Sequence, residues 1–530
     1  MKQRSESDYK HWGILDRSDS CPQTGAAVLT PHFPLGIRKK AITEVFGDKG
    51  WADAWDTRLF PRWLPLLLGL CLGLIIAYLV SQGLWHFAIP LALAVPAVVL
   101  LNRYPFAAVM LWVLVVPYFL NEPTSAGRFV YWVVHRAMIP AALGMVILSD
   151  WLGASKRTPV RLGRVELSML LFIGLALVNI LLFNRNPMKT AYQFYDLLFI
   201  PFCAYWLIRR IAPTGEDLKR FLVVAWITLL AQCCIGLLSW FAPQVLPVKW
   251  LTGLEGARTV GTLKNVAVYT STLLFLALLL LQYCIHSKSR WLRWLLFCTF
   301  GLAMFCVFFS FSRASWIGGA LVLLALVLIY PRAMIRFVIM LVGVSLILTG
   351  TMLADEVAWG YERVTGEEAA RSAESRLVTN QASLRMIERK PLLGWGFGNY
   401  DLHDRQFQVR VNDVSVGSDD TSHNTYLTIM AELGVMAFLL YVFPLLWWLF
   451  LSIKVWQRLP QGGFWSRSLL VMLWLLMLHV TIVTNFMDMV RFHQFGMTIW
   501  WMALGLIGNM VYLYLEPGYL KAPNLDPADG

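Results

Sequence analysis

SDDTSHNTYLTIMAELGVMAF, residues 418–438, passes from a polar, acidic stretch into an apolar run that continues to about residue 452, with His423 and Asn424 at the switch. An α-helix needs roughly 20 mostly apolar residues to cross hydrocarbon, because in that solvent the backbone must satisfy its own hydrogen bonds. The run is long enough to do so. Comparable runs recur along the chain from Trp63 to Leu515.

Composition agrees with this reading. Of 530 residues, 58% are hydrophobic, 15% are charged and 24 are Trp, and the mean hydropathy is +0.59. A soluble domain carries about 25% charged residues. The net charge of +13 does not point to nucleic acid, because Lys and Arg sit in short clusters between apolar runs rather than on one basic face. Their expected partner is the inner leaflet of a membrane. Of eight cysteines, Cys21 lies in the polar N-terminal segment and the other seven fall inside apolar runs. That pattern supports neither a zinc site nor a disulfide framework.

The first 60 or so residues are polar and mixed in charge, with no apolar core after the basic start, so no cleavable signal peptide is expected. Within them, IRKKAITEVFGDKGWADAWDTRLF either lies along the membrane surface or is a solvated tail.

Hydropathy predicts about 14 spans, near 63–80, 85–101, 106–120, 132–149, 165–183, 192–208, 220–241, 266–285, 292–310, 315–330, 334–353, 424–452, 468–488 and 494–514. Short cytoplasmic loops carry the excess of Lys and Arg. With the N-terminus inside, the clusters Lys156/Arg157/Arg161/Arg164, Arg209/Arg210/Lys219/Arg220, Lys288/Arg290/Arg293, Arg332/Arg336 and Lys454/Arg458/Arg467 all fall on the cytoplasmic side. The expected organisation is a cytoplasmic segment 1–62, membrane helices over 63–353, a large outer loop 354–422, membrane helices over 423–515 and a cytoplasmic tail 516–530. In the large loop, EEAARSAESRLVTNQASLRMIER is rich in helix formers and predicts a helix stopped by Pro391, with Leu377, Leu384 and Ile387 as its apolar face.

This topology puts three residues, distant in sequence, at the outer membrane face: Arg258, Arg313 and His423. An arginine near hydrocarbon is costly unless it meets an anion or lines a wet cavity, so Arg313, between two apolar spans, marks a candidate site. Its guanidinium fork suits a phosphate or pyrophosphate; the alternative is a contact with lipid headgroups or helix-end carbonyls. His423 precedes a span, with Thr421 or Ser422 as the expected N-cap. The helix dipole there opposes positive charge, which suits a general base near neutral pH; the alternative is an ordinarily solvated interfacial histidine. Asp419 and Asp420 either orient His423 or bind an acceptor sugar, or are solvated loop charges. Arg258, with Gly261 and Lys264, forms either an anion-binding turn or a headgroup anchor. His86, His135, His479 and His493 read as structural. Gly394, Gly396 and Gly398 lack the spacing of a nucleotide loop, and acidic residues within spans are too few for a proton-coupled transporter.

RTVGTLKNVAVY (258–269), FSFSRASWIGG (309–319), SLRMIERKPLLGWGFGNY (383–400) and SHNTYLTIMAELG (422–434) together resemble, in this order, landmarks of the O-antigen ligase and Wzy-type polymerase superfamily. His423 and Asn424, nine residues and then Gly434 reproduce its histidine motif, with Ala437 in place of the usual later residue. The resemblance covers roughly residues 250–450. It implies an all-α polytopic membrane protein of about 12–14 transmembrane helices, GT-C-like, with a large periplasmic loop. It also implies an inner-membrane glycosyltransferase that moves a glycan from undecaprenyl pyrophosphate to an acceptor hydroxyl on another glycan or on lipid A core, with neither nucleotide sugar nor metal cofactor.

In that scheme Arg258 and Arg313 hold the pyrophosphate, His423 takes the hydroxyl proton, and Arg385, Asn424 and Asp420 contact substrate. A ligase that uses lipid A core is the first expectation, and a polymerase that joins lipid-linked repeat units is the second. A lipid-linked glycan flippase or exporter is the third, disfavoured because the cations collect at one face. A non-catalytic scaffold would not require the convergent residues.

Overall fold

The computed structural model describes residues 63–515 except 85–87, 89–90, 93–99, 102–103, 121–123, 152–162, 185, 252–257, 264, 352–353, 410–421 and 490–492. The N-terminal segment, the C-terminal tail and most of the span read near 85–101 lie outside the described residues, as do Lys264, Asp419, Asp420 and Thr421.

The described residues are helical, with no β-strand among them. In chain order the helices are α1 (Trp63–Ser81), α2 (Phe106–Phe119), α3 (Ser125–Trp151), α4 (Arg164–Phe183), α5 (187–211), α6 (Gly215–Phe241), α7 (Val266–His286), α8 (Arg290–Phe308), α9 (Arg313–Ile329), α10 (Pro331–Thr351), α11 (Ala354–Thr365), α12 (Glu367–Arg389), α13 (Thr425–Val455), α14 (Arg467–Thr484) and α15 (Gln494–Leu515). Among the described residues, α3, α4, α6, α7, α8, α13, α14 and α15 are long and apolar enough to cross a membrane, and α2 and α9 are shorter apolar helices. The chain is an all-α multi-pass membrane protein.

The expected fourteen spans therefore do not all appear as full-length helices. The α2 helix has 14 residues and α9 has 17. The α5 region is divided by a π-helical turn, Tyr195–Phe199, where Arg136 donates 2.7 Å to Asp196. Such turns interrupt the regular ladder of a helix.

The bundle centre is α7, with 89% of its span buried, next to α15 at 78% and α14 at 61%. Elsewhere one face of each helix turns outward. On α4, Val165, Met169, Phe172, Ala176 and Ile180 are buried while Leu167, Leu170, Leu171, Val178 and Leu181 are exposed. Lipid tails are as apolar as leucine, so this outward stripe needs no protein partner.

The α13 helix contains the break that organises the large loop. Gly434 has φ +85° and ψ 170°, and the backbone groups released there bond to the turn after α12. Val435 N donates to Pro391 O at 2.8 Å, Trp395 N to Ala431 O at 3.0 Å and Gly396 N to Glu432 O at 2.9 Å. From α4, buried Asn179 donates 2.6 Å to Leu393 O and accepts 2.8 Å from Phe397 N. The loop is thereby latched to the bundle by backbone bonds.

The α12 helix ends at Arg389, before Pro391, as expected from the steric limit on the residue preceding proline. Its buried face differs from the expected one. Val378, Thr379, Ala382, Ser383 and Met386 are buried, whereas Leu377 is 47% and Leu384 50% exposed. Of the expected face only Ile387 packs inward, against Met386, Tyr400 and Ala431. Small and hydroxylated residues let α12 approach α13 closely, and Tyr400 hydroxyl bonds Ser383 Oγ at 2.7 Å.

Candidate functional site

The α8–α9 turn places Arg313. Phe311 takes a left-handed backbone, φ +49°, immediately before the N-cap Ser312, whose Oγ accepts 3.0 Å from Ser315 Oγ. Thr259 N donates to Phe309 O at 3.1 Å and Thr259 Oγ1 to Cys306 O at 2.7 Å. Those two bonds stitch the segment carrying Arg258 onto the end of α8. Gln232 of α6 holds the same segment from the other side, donating 2.8 Å to Thr262 Oγ1 and accepting 3.1 Å from Thr262 N.

His423 is built in the same way. It takes φ +55° immediately before Asn424, so Phe311 and His423 are left-handed residues at the same position ahead of a helix. Left-handed backbone costs a non-glycine residue about 1–3 kcal/mol and concentrates at functional sites. The N-cap is Asn424 rather than Thr421 or Ser422: its Oδ1 accepts from Tyr426 N at 3.0 Å and Leu427 N at 3.2 Å. The correction is geometric, since the helix starts at Thr425 and only the residue before it reaches both amides. Ser422 instead accepts 3.1 Å from Asn424 N, and its carbonyl accepts 3.4 Å from Thr379 Oγ1 of α12.

The α12 helix closes the site with one periodic face. Ala369, Ser372, Ala373, Arg376, Leu377 and Asn380, spaced three and one residues apart in turn, line the cavities beneath it. Sequence reasoning passed over Arg376, although this helical spacing of small and polar residues around an arginine was visible in it.

Two cavities adjoin. One, of about 230 Å³, is lined by Arg258, Asn265, Phe311, Arg313 and Arg376, among others. The other, of about 370 Å³, is lined by Arg313, Arg376, Asn380, His423 and Asn485, among others. Arg313 and Arg376 face both. Arg313 makes two long hydrogen bonds of 3.5 Å, to Ala369 O and Ser372 Oγ, and neither arginine pairs with a carboxylate among the described residues. Burial, and then the charge of Arg313, push the Arg376 guanidinium below its usual value. The N-termini of α7, α9 and α13, capped by Asn265, Ser312 and Asn424, begin at residues beside the same cavities. Half-buried guanidiniums without a carboxylate, together with helix N-termini, make a site suited to a multiply charged anion.

The other expected site residues fall differently. Asn424 serves as a cap, and its Nδ2 makes a long 3.5 Å contact with Asn485 Oδ1, so Asn485 is the amide that lines the larger cavity. Arg385 lines neither cavity; it donates 2.8 Å to Phe407 O. Arg385→Ala is therefore expected to lower the melting temperature in detergent by an amount equivalent to about 1.5–3 kcal/mol. His135 is buried and accepts 3.1 Å from Trp112 Nε1. His479 is buried against Gly318, where an added Cβ would lie 2.4 Å from its Nδ1.

No curated protein matches the chain. A family model described as O-Antigen ligase matches residues 298–442, from the middle of α8 through α9 and α12 into α13. That stretch, which carries Arg313, Arg376 and His423, is similar to the O-antigen ligase family.

Proposed function

We propose that this protein is a membrane glycosyltransferase that moves a glycan from a polyprenyl pyrophosphate, undecaprenyl pyrophosphate in a bacterial inner membrane, to an acceptor hydroxyl. The family match ties the chain to glycan assembly. The observation that carries the reading is Arg313, which lines one cavity with Arg258 and the adjoining one with His423. The Lys- and Arg-rich loops lie at the other ends of these helices, which supports cytoplasmic termini and a periplasmic site.

His423 accepts the proton of the acceptor hydroxyl as its oxygen bonds to the anomeric carbon. The bond from that carbon to the pyrophosphate oxygen breaks, and its electron pair leaves with the pyrophosphate. Arg258, Arg313 and Arg376 stabilise the charge developing there, the more strongly because the cavities are partly shielded from water. Guanidiniums serve where a metal ion serves other phosphate enzymes. Lipid A core is the first-choice acceptor, in keeping with the family's description.

Purified protein supplied with undecaprenyl-pyrophosphate-linked repeat units, with and without lipid A core, tests the reading. Glycan appearing on lipid A supports a ligase, and longer chains on undecaprenyl without lipid A support a polymerase. No histidine-dependent product with either overturns the proposal. In the same assay Arg313→Ala is expected to lower kcat/KM by about 10²–10³, with incomplete rescue by Lys, which lacks the planar fork. Arg376→Ala is expected to cost about 1.5–3 kcal/mol of transition-state stabilisation, roughly ten- to a hundredfold.

A further inference from the structure

Four residues line both cavities: Arg313 and Ala314 of α9, Arg376 of α12, and Phe486 from the turn between α14 and α15. Phe486 is out of character there. The residue is 42% exposed at a junction otherwise made of two guanidiniums and a methyl group. An aromatic that merely anchored the turn at the membrane surface would more usually be Trp or Tyr, whose polar tips suit that zone.

The turn that presents the ring is fixed on both sides. Asn485 N donates to Ile482 O at 3.1 Å, Phe486 N to Val483 O at 3.0 Å, and Asn485 Nδ2 to Thr481 O at 2.8 Å. Across to α13, Thr425 Oγ1 donates 3.2 Å to Met487 O and accepts 3.0 Å from Met489 N. Thr425 is two residues after His423, so the segments that carry the ring and the histidine are hydrogen-bonded to each other.

We propose that Phe486 is the platform for the sugar ring being transferred, and so a specificity-determining residue for the donor. The proposal rests on the glycosyltransferase reading above. In that reading the anomeric carbon is bonded to a pyrophosphate in the cavity of Arg258 and is attacked by an oxygen in the cavity of His423. The first sugar must therefore straddle the junction. A pyranose has a face of C–H bonds carrying slight positive charge, which packs on the electron-rich face of an aromatic ring. Its hydroxyls remain at the edge, where Asn485 and Asn380 line the larger cavity.

The test compares wild type with Phe486→Leu, which keeps apolar volume, and with Phe486→Tyr and Phe486→Trp, which keep an aromatic face. Binding of undecaprenyl pyrophosphate bearing the host repeat unit is measured against binding of bare undecaprenyl pyrophosphate, and KM and kcat for transfer follow on the same preparations. The leucine variant is expected to lose roughly tenfold in preference for the sugar-bearing lipid and to raise its KM by a similar factor. Both aromatic variants stay within about threefold of wild type, and affinity for the bare lipid is unchanged throughout. A leucine variant with wild-type preference overturns the proposal, as does one that weakens bare and sugar-bearing lipid equally. His423→Ala, run alongside, separates the two readings. If it transfers normally, the glycosyltransferase assignment of this site fails; if it is inactive while Phe486→Leu matches wild type, only the platform fails.

Discussion

His423→Ala is expected to yield a folded membrane protein whose transfer rate falls by about 10²–10⁴, the range a positioned general base contributes. The expectation rests on placement: His423 lines the larger cavity together with Arg313 and Arg376, immediately before the N-terminus of α13. Its removal leaves the helix cap intact, because Asn424 supplies that. The left-handed backbone at φ +55° adds a second readout. Glycine adopts this conformation without steric cost, so His423→Gly is expected to be about 1 kcal/mol more stable than His423→Ala although both are inactive. Transfer assays and melting curves in detergent check both parts. A well-folded His423→Ala protein with near-normal turnover would sink the assignment.

Gly434→Ala is expected to be the most damaging single methyl group in the loop region. A Cβ there would lie 2.0 Å from Leu392 O, a backbone atom, and φ is +85°. Neither partner can yield, because Leu392 belongs to the turn whose neighbours Pro391, Trp395 and Gly396 bond to the broken helix. Relief requires opening that latch, which also holds α12, and with it Arg376, over His423. A loss on the order of 3–5 kcal/mol is expected, the range reached when strain and a backbone network fail together. The measurable result is a low yield of monodisperse protein with a depressed melting temperature. Gly144→Ala in α3 is the control: nothing lies within 4 Å of its Cβ, so it should be neutral or slightly stabilising. Equal melting temperatures for the two variants would contradict the latch.

The spacing of His423, Asn424 and Gly434 acquires a physical meaning from these results. Asn424 caps the helix, nine residues make two and a half turns, and Gly434 opens the backbone where the 391–396 turn docks. The motif was legible in the sequence, but its reason was not. An asparagine that caps a helix and one that binds a sugar have the same letter, and the backbone partners of Gly434 lie some 40 residues away.

Local physics made the helices readable. A run of apolar residues that spans hydrocarbon must be helical whatever its neighbours do, so α4, α7, α8 and α15 begin and end within a few residues of where hydropathy alone puts them. The positions of Arg313 and His423 at helix ends followed from the same arithmetic. Tertiary packing decided the rest. Hydropathy does not separate an exposed leucine from a buried one, so the buried face of α12 was misread at Leu377 and Leu384. Arg376, within the expected loop helix, and Phe486, within the span expected near 468–488, do not stand out in the sequence. They reach the site only because α12 and the 485–489 turn converge on the same cavities. Membership of a span is a property of about twenty consecutive residues and is written in their composition. A site assembled from segments hundreds of residues apart is a property of their packing, which no local stretch of the chain encodes.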